Sequence, residues 1–167
     1  ENRFLVTMTT AHTGAAQLQF QRMLDIDFPE LDVAMTSVTE QWASLAIAGP
    51  NARKILEKLD PDFGISNEEF PFLDYREGKV AGLSVRVFRV SFSGELSYEI
   101  NVGARDAQAL WAAVFEAGAD FDIMPYGVEA LDILRIEKGH LNIGTEIDGK
   151  TTPDDIGLGG MVKNDQF

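Results

Sequence analysis

The chain has 167 residues, 45% of them hydrophobic and 25% charged, the size and apolar content of one globular domain able to bury a core, which excludes disorder, collagen and small disulfide scaffolds. Lys and Arg number 14 against 27 Asp and Glu, a formal net charge of −13, and so negative a surface repels a phosphate backbone, which argues against nucleic acid as a partner. Cysteine is absent, so no disulfide, thiolate nucleophile or sulfur-ligated zinc is available, and His12 and His140 are too few and too far apart to suggest a metal site.

In chain order, Glu1-Asn2-Arg3 has neither the basic nor the apolar region of a signal peptide, and no run approaches the roughly 20 apolar residues of a membrane helix. A cytoplasmic chain is expected. Residues 3 to 10, rich in Val, Thr and Phe, read as a strand. Because it begins so close to a start without Met, the chain is expected to be an excised piece of a longer one. Thr13 is placed to cap a helix with Ala16, Phe20, Met23 and Leu24 on one face, ending near Asp27. A second strand is expected over 40–48. Gly49-Pro50 then puts proline at a first helical position, ahead of Ala52, Ile55, Leu56 and Leu59 at helical spacing.

Residues 60 to 78 turn acidic and aromatic and read as an ordered connecting loop, whose aromatics need somewhere to pack. Alternation over 80–90 and again over 96–102, across Phe92-Ser93-Gly94-Glu95, predicts two antiparallel strands. Ala107, Leu110, Trp111, Val114 and Phe115 fit an amphipathic helix with Asp106 in its first turn and Gly118 as its stop. A short strand over 121–124 precedes Pro125 and a helix over 127–138, ended by Gly139, and the remainder reads as loop. This order suggests an α+β domain of ferredoxin-like type, an antiparallel sheet with helices on one face. That architecture names no function.

Four constellations bear on chemistry. On an extended strand Glu95, Ser97 and Glu99 share one face and Leu96, Tyr98 and Ile100 the other. These carboxylates either wet the outer face of a half-buried sheet or, over a concave site, accept two parallel hydrogen bonds from an amidine-like ligand edge. Asp132 and Arg135 stand at i, i+3, the spacing of an ordinary surface salt bridge, unless Arg135 faces a pocket. Gly157-Leu158-Gly159-Gly160 lacks the spacing and the strand-to-helix context of a phosphate loop and reads as flexible loop. His140, just past Gly139, suits an electrostatic helix cap, and His12 has no acidic neighbour.

Ser93-Gly94-Glu95-Leu96-Ser97-Tyr98-Glu99-Ile100 resembles the SGExx[YF]E[IL] strand of the glycine-cleavage T-protein superfamily, a folate-binding fold shared with dimethylglycine dehydrogenases and heterotetrameric sarcosine oxidases. Residues 3–10, 36–43, 48–53, 134–139 and 148–153 resemble the α subunits of those oxidases, so the likeness runs along the whole of 1–167. It implies a tetrahydrofolate-binding domain, truncated at both ends, in an oxidase that demethylates sarcosine and captures the one-carbon unit as 5,10-methylenetetrahydrofolate. FAD, FMN and NAD would lie elsewhere in the complete enzyme, and the β, γ and δ subunits would be partners. Glu99 would hold the pterin, whose ring N–H and exocyclic amine form a parallel donor pair. Phe92 matches an aromatic position beside the folate, and Arg135 either is structural or helps orient the site. The resemblance puts the family's aspartate upstream of this chain, so no catalytic residue is assigned within it and the isolated piece is expected to be inactive. Leu131 stands where T-proteins carry an arginine, which disfavours the alternative of lipoyl-dependent aminomethyl transfer. A second alternative is a non-catalytic domain that only docks subunits.

Overall fold

In the computed structural model, residues 3–162 are described, and the chain divides into two compact units, Glu1–Trp42 and Ala43–Phe167.

In the first unit the expected strand over 3–10 does not form. Residues 3–9 run as irregular chain and Thr10–His12 make a 3-10 turn into helix α1 (Thr13–Arg22). The composition supplies β-propensity, but a strand needs a neighbouring backbone for its N–H and C=O groups, and no ladder partner is present among the described residues. Thr13 begins the helix instead of capping it, because its hydroxyl donates backwards to the Thr9 carbonyl at 3.1 Å. Ala16, Met23 and Leu24 are half-buried and Phe20 is exposed. Past Arg22 the helix widens into a π turn, Met23–Asp27, closed by the Phe28 N–H on the Met23 carbonyl at 2.8 Å, so it ends near the expected residue.

The second unit is built on a four-stranded sheet in the order β1-β4-β3-β2, with β1 Trp42–Ala48, β2 Tyr75–Val80, β3 Leu83–Phe88 and β4 Ser97–Gly103. β2 pairs antiparallel with β3 from Tyr75↔Phe88 to Val80↔Leu83, and β3 pairs antiparallel with β4 from Val85↔Val102 to Phe88↔Glu99. This is the α+β antiparallel architecture expected. Strand β2 corrects the loop reading of 60–78. Its residues are mostly polar because it is an edge strand with one buried side chain, Val80, so alternation there carries little apolar signal.

Helix α2 (Ala52–Lys58) buries Ala52, Ile55 and Leu56, and its C-cap Leu59 is buried too. Pro50 lies in the preceding turn and not at the first helical position, since Asn51 is the N-cap. Helix α3 (Ala107–Gly118) buries Leu110, Val114, Ala117 and Gly118, while Trp111 is exposed. Its inward face is therefore rotated from the expected stripe. Both helices pack on each other and on β4, over a core of Val85, Val87, Tyr98, Ile100 and Val102. The loop aromatics find their place as well: Phe70 is buried, with Phe63 edge-on at 6.0 Å.

The short strand over 121–124 is absent. Ala119–Phe121 form a 3-10 turn, and Asp122 turns the chain in the left-handed region at φ 52°. Helix α4 (Val128–Lys138) ends as expected at Gly139, with φ 85°. There the His140 N–H bonds the Arg135 carbonyl at 2.8 Å and the Gly139 N–H bonds that of Ile136 at 3.0 Å, so the backbone itself satisfies the helix end. No described helix is long and apolar enough to cross a membrane.

Candidate functional site

Glu99 sits in the middle of β4, where period-two alternation sends Tyr98 and Ile100 into the core and Glu99 with Asn101 to the other face. That face is not simply wetted. Glu95, in the turn before the strand, is exposed, but Ser97 is buried and Glu99 and Asn101 are half-buried. The Asn101 amide donates to Glu99 Oε1 at 3.1 Å. Among the described residues Glu99 has no ion pair, and its second carboxylate oxygen has no hydrogen bond. A carboxylate held from one side, part-shielded and without an ion pair, can accept a pair of N–H donors. Asn101 was not singled out from the sequence, although its place two residues along the same strand face was a usable signal.

Phe92 lies in the connection from β3 to β4 and is partly exposed. Its ring stacks on that of His140 at 6.0 Å and 22°, and its carbonyl lies 3.0 Å from His140 Nδ1. A carbonyl can only accept, so Nδ1 carries the proton and Nε2 is left as an acceptor in the neutral ring. His140 thus clamps the Phe92 turn with its ring, while its backbone N–H bonds the Arg135 carbonyl at the end of α4. Gly94 completes the clamp. Its φ is 84°, and a Cβ there would lie 2.6 to 2.8 Å from the Lys138 stem, so this turn rests directly on the end of α4.

Arg135 is buried, unlike an ordinary i, i+3 surface pair. Its Nε meets Asp132 at 3.3 Å, and its Nη1 meets Glu146 at 2.7 Å and the His140 carbonyl at 3.2 Å. Glu146 also accepts the Asn142 N–H at 2.7 Å. The guanidinium beside Glu146, helped by that N–H, holds its carboxyl below the usual range, and Glu146 in turn raises Arg135. Glu146 was not foreseen, because it lies in a segment without periodicity. Arg135 therefore anchors the chain after α4, including His140, which in turn holds Phe92.

The remaining constellations are less organised. Gly159 and Gly160 fall in a 3-10 turn after an exposed loop tied by Thr152 and Asp155, with no strand leading into a helix. His12 Nδ1 meets Thr9 Oγ1 at 3.0 Å. Leu131 is half-buried on α4.

Comparison with known proteins places the chain in a family. Residues 1–166 match the family described as the GCVT N-terminal domain. Sarcosine oxidase subunit alpha of Rhizobium meliloti (strain 1021) is 47% identical over 164 residues, covering 97% of this chain and 16% of that protein. An aminomethyltransferase of Halothermothrix orenii is 38% identical over 128 residues, covering 77% of this chain and 35% of that protein. Among solved structures, heterotetrameric sarcosine oxidase from Corynebacterium sp. U-96, in complex with pyrrole 2-carboxylate, superposes with a TM-score of 0.55 at 17% identity, covering 67% of this chain and 54% of that one. The chain spans about a sixth of the length of the sarcosine oxidase subunits it matches, at 16% and 17%.

Proposed function

Since this chain belongs to the GCVT N-terminal domain family, we propose that it is the tetrahydrofolate-binding domain of a sarcosine oxidase α subunit. The observation that carries this reading is the state of Glu99: half-buried, bonded on one oxygen by Asn101, and without an ion pair among the described residues. A reduced pterin presents a ring N–H and an exocyclic amine side by side, which suits such a carboxylate. Phe92, partly exposed, would supply an aromatic face to the ring. Arg135 works at one remove, fixing the His140 segment against which the Phe92 ring stacks.

Tetrahydrofolate would supply the nitrogen nucleophile that takes up the one-carbon unit, released by oxidation of sarcosine, as 5,10-methylenetetrahydrofolate. This chain's residues bind and orient, so proximity accounts for their share of the rate. FAD, FMN and NAD belong to other parts of the complete oxidase, with β, γ and δ subunits as partners in the cytoplasm.

In the complete enzyme Glu99→Ala is expected to weaken folate binding by about 1.5 to 3 kcal/mol, the range for a charge-assisted hydrogen bond, while flavin-dependent sarcosine turnover persists. Folate titration of the variant decides the matter, and an unaltered affinity removes Glu99 from the site. Lipoyl-protein-dependent methylene transfer by the complete protein would instead identify an aminomethyltransferase.

A further inference from the structure

On the face of β4 opposite Glu99, two guanidinium groups meet over one neutral oxygen. Arg53 of α2 donates from Nη2 to Asn67 Oδ1 at 2.6 Å and from Nε to the Tyr98 hydroxyl at 2.9 Å. Arg89, the residue after β3, donates from Nη2 to the same Asn67 oxygen at 2.8 Å and from Nη1 to the Phe70 carbonyl at 2.5 Å. Neither arginine has an ion pair among the described residues, in a chain whose carboxylates outnumber its Lys and Arg by 27 to 14. Nearby Arg76 does have one, to Asp74. Arg89 Nε is also buried without any hydrogen-bond partner, the one such side-chain nitrogen or oxygen among the described residues.

A guanidinium's Nε–H and one Nη–H run parallel and grip two oxygens of a carboxylate or phosphate side-on. In Arg53 that fork is filled by two unrelated neutral oxygens. In Arg89 one prong is filled by Asn67 and the other is empty, a state that costs the desolvation of a charged donor. Asn67 is short and exposed, so its amide can swing away and uncover both forks. Of the adjacent carboxylates, that of Glu69 lies over Gly64 and Glu68 is exposed. We infer that Arg53 and Arg89 form an oxyanion site for a carboxylate or phosphate group, with Asn67 Oδ1 occupying the place of an anion oxygen. The site is independent of the folate reading, since it lies across the sheet from Glu99.

The test is calorimetric titration of the intact protein with inorganic phosphate and, separately, with acetate. Saturable binding of one or both is expected, and the tighter of the two identifies the source of the oxyanion. Asn67→Asp, which sets a permanent carboxylate between the forks, and Arg53→Gln should each weaken that binding at least tenfold. Arg105→Gln, at an exposed guanidinium elsewhere, should not. The Asn67 variant leaves the arginines and the loop in place, so it tests the site without asking the fold to survive loss of a guanidinium. Absence of binding by the wild type, or wild-type affinity in both Asn67→Asp and Arg53→Gln, overturns the assignment.

Discussion

At the scale of single residues, the ion pair between Arg135 and Glu146 makes a pH-dependent claim. The native Glu146 carboxyl is depressed by the Arg135 hydrogen bond and then by the Asn142 N–H. Its contribution to stability is therefore complete above the ordinary glutamate value of about 4.3 and is lost as pH falls through the lower native value. Urea unfolding of wild type and Glu146→Gln between neutral and strongly acidic pH should show a stability gap at neutral pH that closes on acidification. Asp132, Asp148 and Asp155 are unchanged in both proteins, so the difference isolates Glu146. A gap of constant size would mean that the carboxylate does not bear on Arg135. Legibility at this scale follows separation along the chain. The face of Glu99 was readable from alternation alone, whereas Arg53, Asn67 and Arg89 lie 14 and 22 residues apart in sequence and no local period links them.

At the scale of elements, the end of α3 shows a glycine that serves packing and not helix termination. Gly118 is the last residue of the helix and not its stop: its backbone is ordinary at φ −84°, the chain runs on through the 3-10 turn Ala119–Phe121, and the left-handed turn belongs to Asp122. Glycine is required because a Cβ would lie 2.7 Å from three atoms of Ile123. Gly118→Ala should thus cost about 1 to 3 kcal/mol by overpacking, despite the better helix propensity of alanine. Chemical denaturation measures this, and a stabilised variant would show that Ile123 yields freely. The same distinction explains the other departures. The rotated face of α3 and the missing strand over 3–10 were set by which neighbours each segment meets, and propensity does not encode neighbours. Edge strand β2 was hidden because polar residues suit its position, its Lys79 N–H being covered by Asp62 Oδ1 at 2.6 Å.

At the scale of the whole molecule, apolar burial is concentrated between Ile47 and Ala117, in the sheet, α2, α3 and the Phe70 loop. Helix α4 contributes one buried residue, the charged Arg135, and α1 contributes none. Helices with similar sequence patterns therefore carry unequal shares of the folding energy. Leu56 is 0% exposed in α2, while Ile133 in α4 is 61% exposed. Truncating Leu56 leaves a cavity among side chains that cannot fully collapse, so Leu56→Ala should cost about 2 to 5 kcal/mol. Ile133→Ala removes a group already in water and should stay within about 0.5 kcal/mol. Urea midpoints of the two variants of this 167-residue chain compare them directly. Equal losses would mean that α4 shares in the buried core, and that Arg135 is not its main attachment.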